Sequence, residues 1–405
     1  MDANQPHTKN GTTRPVRVLF ITPQPYFQWR GSPIRVSFNL MVLTELGFEV
    51  DLLCLPFGED RRTQGVRVVR VGNLPGLKGI PIGPSIWKVP FDAKLWWAGR
   101  RLINAAPYDV VHAVEDAGAL AVSLARRSGA KLIFEKHSDP VSYNRGLLRN
   151  LVMRLYSRVE AYSIRHADAV IGTGPGLVAQ SRHIAPATPA YHIFDIASSL
   201  AEPEPERVAA QRRALQRNPD DVLITYVGSF AVYQGIDLLF SAIPKVAERE
   251  PRARFVIVGG TPDEIEHRRA ALGPAASAVY FAGKIPPDDL PHTLTASDML
   301  LSTRLSGTNT PLKLLDYLKA GRCIVATNSR ANRLLLNEKS ARFVDPDAES
   351  LAVGCCELIN DPERRQRLAS GGGELIRSTY NYPEFKRRLT QVYADLGWPA
   401  ARNPS

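Results

Sequence analysis

Residues 306–321 read SGTNTPLKLLDYLKAG, and the fold follows from how this stretch is placed. The run before it, SDMLLST, is apolar up to Leu301 and reads as a buried strand of a parallel sheet, with Ser306 to Thr310 as the connecting loop. A helix comes next. Pro311 suits its first position, where the missing N–H has no intrahelical partner, and Thr310 can cap it with its hydroxyl. The first-turn amides of such a helix carry partial positive charge and face the crevice beyond the strand's carboxyl end, where open α/β sheets hold ligands. Lys313 adds a full charge in the same turn, and Asp316 follows three residues later on nearly the same face. Cation, amides and carboxylate together suit the phosphates and ribose hydroxyls of a nucleotide. The same residues would also make a plain capped helix with a solvated Lys and Asp, so the segments around them decide.

Those segments alternate strand and helix. Val16 to Ile21 is an apolar strand, followed by the loop TPQPYFQWRGSPIR and a helix from about Val36 to Leu46. Further strands are expected at 50–55, 66–71, 109–113, 131–135 and 169–172, with helices at 118–127 and 147–165. Gly31 and Ser32 fall where a helix N-terminus approaches the crevice of this first sheet. Two polar clusters end strands there: HAVED, with His112 and Glu115, and EKHSD, with His137. Glu202 to Glu206, with Pro203 and Pro205, reads as an interdomain linker. Alternation resumes with strands at 222–227, 255–258, 278–281, 299–303 and 323–327 and a helix over 236–247. Helices are expected at 348–358, 362–368 and 382–396. The fold class is α/β, with two doubly wound, Rossmann-like domains.

Four ordered segments carry a resemblance: YVGSFAVYQGIDLLFSAI (226–243), RFVIVGG (254–260), VYFAGKIPPDDL (279–290) and GTNTPLKLLDYLKAGRCIVAT (307–327). Together they resemble the donor-binding half of the retaining glycosyltransferases of family 4. The likeness covers most of residues 221–388. It implies a GT-B fold: an N-terminal acceptor-binding domain over 1–200, a donor-binding domain over 201–380 facing it across a cleft, and a final helix over 381–405 that returns to the first domain. It implies transfer of a sugar from a nucleotide-sugar donor to a glycan or lipid-linked acceptor, with retention of anomeric configuration. Gly31 and Ser32 then match the family's N-terminal glycine loop, near the donor diphosphate. His112, Glu115 and His137 fall at the catalytic face of the first domain. Gly228, Ser229, Gln234, Lys284, Ile285, Arg304, Thr310, Lys313 and Asp316 fall at the donor site, with base contacts through the backbone near Gly283 to Ile285.

The chain departs from the family in four places. The family supplies a cation after the GxF-like glycine and a Lys before the next glycine, where this chain has Ser229 and Gln234. The first of its two acidic residues corresponds to Thr308, so the sugar contact would pass to Thr308 and Asn309. Of the paired histidines common in the first cluster, the second is replaced by Val114. Charge for the leaving diphosphate must then come from Lys313, Arg304 or helix amides. An inactive nucleotide-sugar-binding subunit and a GT-B epimerase remain as alternative readings.

Composition bounds the rest. The 405 residues, 44% hydrophobic, can bury two or three domain cores, and no apolar run approaches the ~18 residues that span a bilayer. The polar N-terminal stretch lacks the apolar core of a secretory signal, so a cytoplasmic protein is expected. Cys54, Cys323, Cys355 and Cys356 form no CxxC pair and read as reduced thiols. No Asp-x-Asp or His-rich cluster lies near the expected site, so neither a metal nor another cofactor is expected. Of the net charge of +11, residues 1–200 carry 24 Lys and Arg against 15 Asp and Glu. Without an RNP or zinc-finger pattern, this excess points to an anionic membrane surface or phosphorylated acceptor rather than nucleic acid. The segment WKVPFDAKLWWAGRRLI, from Trp87 to Ile103, is expected to pack Phe91, Leu95, Ala98 and Leu102 inward and to present Trp96 and Trp97 outward beside basic residues. Arg154, Arg158 and Arg165 share one side of a later helix and would add to its field.

Overall fold

The computed structural model describes residues 14–29, 31–60, 63–77, 79, 88–138, 147–307 and 310–398. It divides into two compact units: the first holds residues up to Phe194 and again from Lys386, the second Asp195–Phe385.

The first unit is built on β1 (Arg17–Pro25), α1 (Gly31–Glu45), β2 (Glu49–Leu55), β3 (Val66–Arg70), α2 (Val89–Ala105), β4 (Val110–Val114) and α3 (Gly118–Ser128). It continues through β5 (Lys131–Lys136), α4 (Leu147–His166), β6 (Ala169–Gly172), α5 (Pro175–Ile184) and β7 (Ala190–His192). Its seven strands are parallel, in the order β3-β2-β1-β4-β5-β6-β7. The central strands are almost wholly apolar because helices cover both faces of the sheet; Val18 to Ile21 and Val110 to Val114 are fully buried, with His112 the one polar residue among them. Strand order reverses between β1 and β4, which pair from Val18↔Val110 to Ile21↔Ala113. Parallel crossovers are right-handed, so α1, on the step from β1 to β2, covers one face, while α2, α3, α4 and α5, on steps in the opposite direction, cover the other.

The second unit contains α6 (Pro205–Leu215), β8 (Val222–Val227), α7 (Ile236–Arg249), β9 (Ala253–Val258), α8 (Pro262–Leu272), β10 (Val279–Gly283), α9 (Leu290–Ala296) and β11 (Met299–Ser302). It adds α10 (Leu312–Lys319), β12 (Cys323–Thr327), α11 (Arg330–Arg333), β13 (Ala341–Val344), α12 (Ala348–Asn360) and α13 (Pro362–Ser378). Its six parallel strands run β10-β9-β8-β11-β12-β13, with the reversal between β8 and β11. The last helix, α14 (Tyr382–Asp395), begins in this unit and ends in the first.

One device recurs in both sheets. Asp109, Asp168 and Asp298 each stand just before a strand, and each carboxylate accepts the backbone N–H that opens the neighbouring strand (Arg17, Leu132 and Leu223), at 2.8 Å in each case. The backbone N–H of each aspartate donates in return to the carbonyl of the same residue, so a doubly bonded pair fixes the register at the start of the strands.

The structure corrects several expectations. The first helix starts at Gly31, five residues before the expected Val36, so Gly31 and Ser32 lie in its first turn. Pro311 is the N-cap of α10, with extended backbone, and Leu312 is the first helical residue; Thr310 does not cap it. The expected linker 202–206 runs into α6, where Pro205 takes the first helical position because it needs no N–H partner there. The two tryptophans of α2 part company. Trp96 packs on the core, and its indole N–H donates to Ser123 Oγ on α3 at 2.9 Å, whereas Trp97 is 58% exposed. Trp87 lies outside the described residues. Cys54, Cys323 and Cys355 are buried free thiols, and Cys356 is part-buried. No helix among the described residues is long and apolar enough to cross a membrane.

Gly235 is the tightest hinge around the second crevice. It has φ +69°, and a Cβ there would stand 1.9 Å from the Thr303 carbonyl oxygen. Gly235→Ala combines a left-handed backbone with a backbone clash, and is expected to destabilise the chain by about 1–3 kcal/mol or more. Urea unfolding of the two proteins measures it; an unchanged midpoint would show that the junction tolerates a side chain.

Candidate functional site

In open parallel sheets, the two loops that diverge at a strand-order reversal leave a crevice beyond the carboxyl ends of the strands. In the second unit these loops follow β8 and β11, and they bring together Gly228, Ser229, Gln234, Arg304 and, through α10, Lys313.

The Lys313 ammonium donates to Gln234 Oε1 at 3.1 Å and lies 4.5 Å from the centroid of the Tyr226 ring. Tyr226 itself is held by donating to the Ser229 carbonyl at 3.0 Å. Gly228 makes this approach possible: a Cβ there would lie 2.9 Å from the Tyr226 hydroxyl and 3.6 Å from the Lys313 ammonium. Arg304 lies over the Tyr233 ring, 5.5 Å from its centroid, and its Nε donates to the Ser306 carbonyl at 2.9 Å. Among the described residues, neither cation has a carboxylate within ion-pair distance. Both are therefore desolvated without compensation. Burial, reinforced by the neighbouring Arg304 charge, pushes Lys313 down to about 7, and burial also lowers Arg304. By surface area Lys313 as a whole residue is part-buried.

Asp316 lies one helical turn beyond. Its Oδ1 accepts the Ser198 N–H at 2.6 Å, which ties α10 to the segment that enters the second unit. Burial pushes its carboxyl up to about 6 against those hydrogen bonds and the nearby Lys319 charge. It also lines a cavity with Ser198, Ser199, Leu290, Leu294 and Lys319. This structural use of Asp316 was not visible in the sequence. Lys284 is exposed just after Gly283 (φ +63°), and Ile285 packs partly on Leu223, Val256 and Val258. Ser229 is exposed and Thr310 part-buried; Thr308 and Asn309 lie outside the described residues.

In the first unit, the crevice at the β1–β4 reversal is organised by a residue that was not singled out, Glu135. It is fully buried at the end of β5, and both oxygens are saturated: Arg35 Nε and His137 Nε2 (3.0 Å) donate to Oε1, Asn39 Nδ2 (2.7 Å) and His112 Nε2 (2.8 Å) to Oε2. Burial alone would raise its pKa, but the Arg35 charge and the two histidine bonds outweigh burial and hold the carboxyl well below its usual range. An ionised carboxylate can only accept, so both histidines carry their proton on Nε2. Their Nδ1 atoms then accept, His112 from the Tyr393 hydroxyl on α14 and His137 from Ser32 Oγ, each at 2.9 Å.

His112, expected to meet substrate, is fully buried with both nitrogens engaged, and is a positioning residue. His137 lies nearer the surface, on the Gly31–Ser32 helix start. Glu115 adopts φ +51°, and its carboxylate accepts the His137 N–H at 2.7 Å and the Ser138 hydroxyl, bracing the same strand end. Asp139 lies outside the described residues. Arg35 and Asn39, four residues apart on the buried face of α1, were a signal the sequence did offer. Tyr393, 281 residues from His112, was not.

Two doubly wound units, each with its polar groups at the switch point of its sheet, define a protein of the GT-B class. Comparison with known proteins agrees. The family described as "Glycosyl transferases group 1" matches residues 221–361, and the "Glycosyl transferase 4-like domain" matches residues 42–193. Among curated proteins, the GDP-mannose-dependent monoacylated alpha-(1-6)-phosphatidylinositol monomannoside mannosyltransferase of Corynebacterium glutamicum is 24% identical over 294 residues, 68% of this chain and 73% of that protein. Among solved structures, sucrose-phosphate synthase of Thermosynechococcus elongatus superposes with a TM-score of 0.75 at 20% identity, covering 94% of this chain and 99% of that one. HepE of Anabaena, in complex with UDP and glucose, superposes with a TM-score of 0.72 at 14% identity, covering 94% and 100%. The chain belongs to the family 4 glycosyltransferases, of GT-B type.

Removing the Glu135 charge tests the first-unit network. Glu135→Gln leaves the buried Arg35 uncompensated and is expected to cost about 3–5 kcal/mol near neutral pH. Because the folded pKa lies below the unfolded one, the carboxylate's contribution is present above the usual carboxylate range and is lost as pH falls through the folded pKa. The gap between native and variant stabilities should therefore narrow as pH falls below the usual carboxylate range, and close only below the depressed folded pKa. A gap that persists unchanged into acid would refute the network's electrostatic origin.

Proposed function

We propose that the protein transfers a sugar from a nucleotide-sugar donor to a hydroxyl of a glycan or lipid-linked acceptor, with retention of configuration and without a metal ion. The observation that carries this reading is the pair of desolvated cations, Lys313 and Arg304, at the strand-order reversal of the second unit, with no carboxylate among the described residues within ion-pair distance of either. Such a pair is costly unless an anion is to be bound, and a diphosphate supplies it.

In the reaction, the bond from the anomeric carbon to the diphosphate oxygen breaks and the electron pair leaves on the diphosphate. The acceptor oxygen bonds to the anomeric carbon on the face the diphosphate leaves, and its proton passes to the departing diphosphate oxygen. Negative charge grows on the departing oxygen, where Lys313, Arg304 and the first amides of α10 stabilise it. The family's cation at the place of Gln234 is thus replaced from across the crevice, since Lys313 already touches the Gln234 side chain. Asp316 offers its remaining lone pairs to the ribose hydroxyls, and the backbone from Gly283 to Ile285 meets the base. The C. glutamicum relative, whose name gives a nucleotide-sugar donor and a lipid acceptor, supports the substrate class. Incubation with a panel of nucleotide sugars tests it: slow release of free nucleotide is expected, whereas an epimerised donor or binding alone would replace transfer with one of the other two readings.

Lys313→Met keeps the stem and removes the charge. A buried charged hydrogen bond is worth about 1.5–3 kcal/mol, so nucleoside diphosphate affinity should fall roughly ten- to hundredfold at pH 6.5. In the free protein Lys313 loses its proton as pH rises past about 7. Binding an anion restores that proton, so the affinity of the native chain should fall by up to about tenfold per pH unit above 7, and the variant should show no such slope. Calorimetric titration at several pH values reads both; equal slopes would remove Lys313 from the site.

Since two side-chain cations supply the charge, activity should survive EDTA. Loss of turnover on chelation, restored by magnesium or manganese, would overturn the metal-independent reading.

A further inference from the structure

The helix layer of the first unit formed by α2, α3, α4 and α5 is polarised in a way the donor chemistry does not use. Right-handed crossovers place these four helices on one face of the sheet, and successive helices pack side by side. Their sequences hold ten Lys and Arg against two Asp and Glu, most of the chain's net charge of +11. Neither acidic residue offsets the surface. Asp92 is largely buried, and burial, with the nearby Asp116 charge, pushes it up to about 7. Glu160 is paired with the buried Lys136.

The exposed face of α4 is also apolar. Leu155 (62% exposed), Val159 and Tyr162 repeat at the i, i+4, i+7 spacing of a single helical stripe that faces solvent instead of the core. Arg154, Arg158 and Arg165, all exposed, form the adjoining stripe, and none has an ion-pair partner among the described residues. On α2, exposed Trp97 has the Arg100 guanidinium 5.7 Å from its ring centroid. A helix that presents aliphatic and aromatic side chains beside unpaired arginines suits a headgroup interface, where the rings and aliphatic chains reach the acyl boundary and the cations meet phosphate.

We propose that this layer, chiefly the Leu155–Val159–Tyr162 stripe of α4 with its flanking arginines and Trp97 of α2, docks the protein reversibly on an anionic lipid bilayer. Nucleic acid fits less well, because Leu155 and Val159 expose aliphatic surface at the centre of the stripe, where a base would have no ring to stack on, and among the described exposed residues only Tyr162 and Trp97 offer rings beside it. The test of this docking surface requires no turnover.

The experiment is sedimentation of the full chain with vesicles of phosphatidylcholine alone and with vesicles containing about a third phosphatidylglycerol, at low and high salt. Binding to the anionic vesicles only, weakened by salt, is expected. Each cation at such a surface contributes about a fivefold gain in partition, so Arg154→Ser with Arg158→Ser should weaken binding roughly 25-fold. Leu155→Ser should weaken it further at high salt, where the apolar contribution dominates. These residues are exposed, so circular dichroism and the melting temperature of each variant should match the native chain. Equal binding to neutral and anionic vesicles, no binding to either, or binding unchanged in the variants would overturn the proposal. It would also be overturned if the variants lost affinity for single-stranded RNA while keeping vesicle binding.

Discussion

Parallel strands cannot be joined by tight turns, and the helix that joins them crosses over with one hand. Both units obey this constraint, and each reverses its strand order once, at β1–β4 in the first and β8–β11 in the second. The reversal forces two successive loops apart, and the polar groups of each unit gather in that gap. The same constraint fills one face of the first sheet with α2 to α5 and sends the basic residues of four helices to a common surface. The polar crevices and the basic helix face are thus both products of the direction in which strands are added.

The two crevices handle buried charge in opposite ways. In the first, Glu135 is fully desolvated, but four donors saturate its oxygens, so the charge is held and the arrangement is rigid. Its role is to orient: it fixes the tautomers of His112 and His137 and, through His112, binds α14 by the Tyr393 hydroxyl. In the second, Lys313 and Arg304 lie close to each other without a counter-charge among the described residues, and the protein carries that electrostatic cost in its free state. An environment that lowers a lysine toward neutrality is one that a bound anion would relieve.

Much of this was legible from local patterns. Strands at 169–172, 222–227 and 323–327 match the observed β6, β8 and β12 to the residue, because a strand buried on both faces is an apolar run bounded by turn residues. Departures fall where short-range rules compete. Pro311 satisfies both the N-cap and the first helical position by its φ, and the backbone chose the former. Trp96 and Trp97 are adjacent, and a helical wheel drawn for α2 alone cannot register that Ser123 on a neighbouring helix offers a hydroxyl to one of them.

Sequence alone determined the α/β class, the doubly wound character of both halves, the departures at Ser229 and Gln234 and the basic bias of residues 1–200, since each rests on residue type and spacing along a few turns or strands. Tertiary structure alone decided that Lys313 stands against Gln234, 79 residues earlier, and that Glu135 joins α1, β4 and β5 while His112 reaches the last helix. It also decided that the outward stripe of α4 is truly solvent-exposed. The reason is physical: propensity and periodicity act over one element, whereas a side chain's charge, tautomer and exposure are set by atoms that only folding brings within a few ångströms.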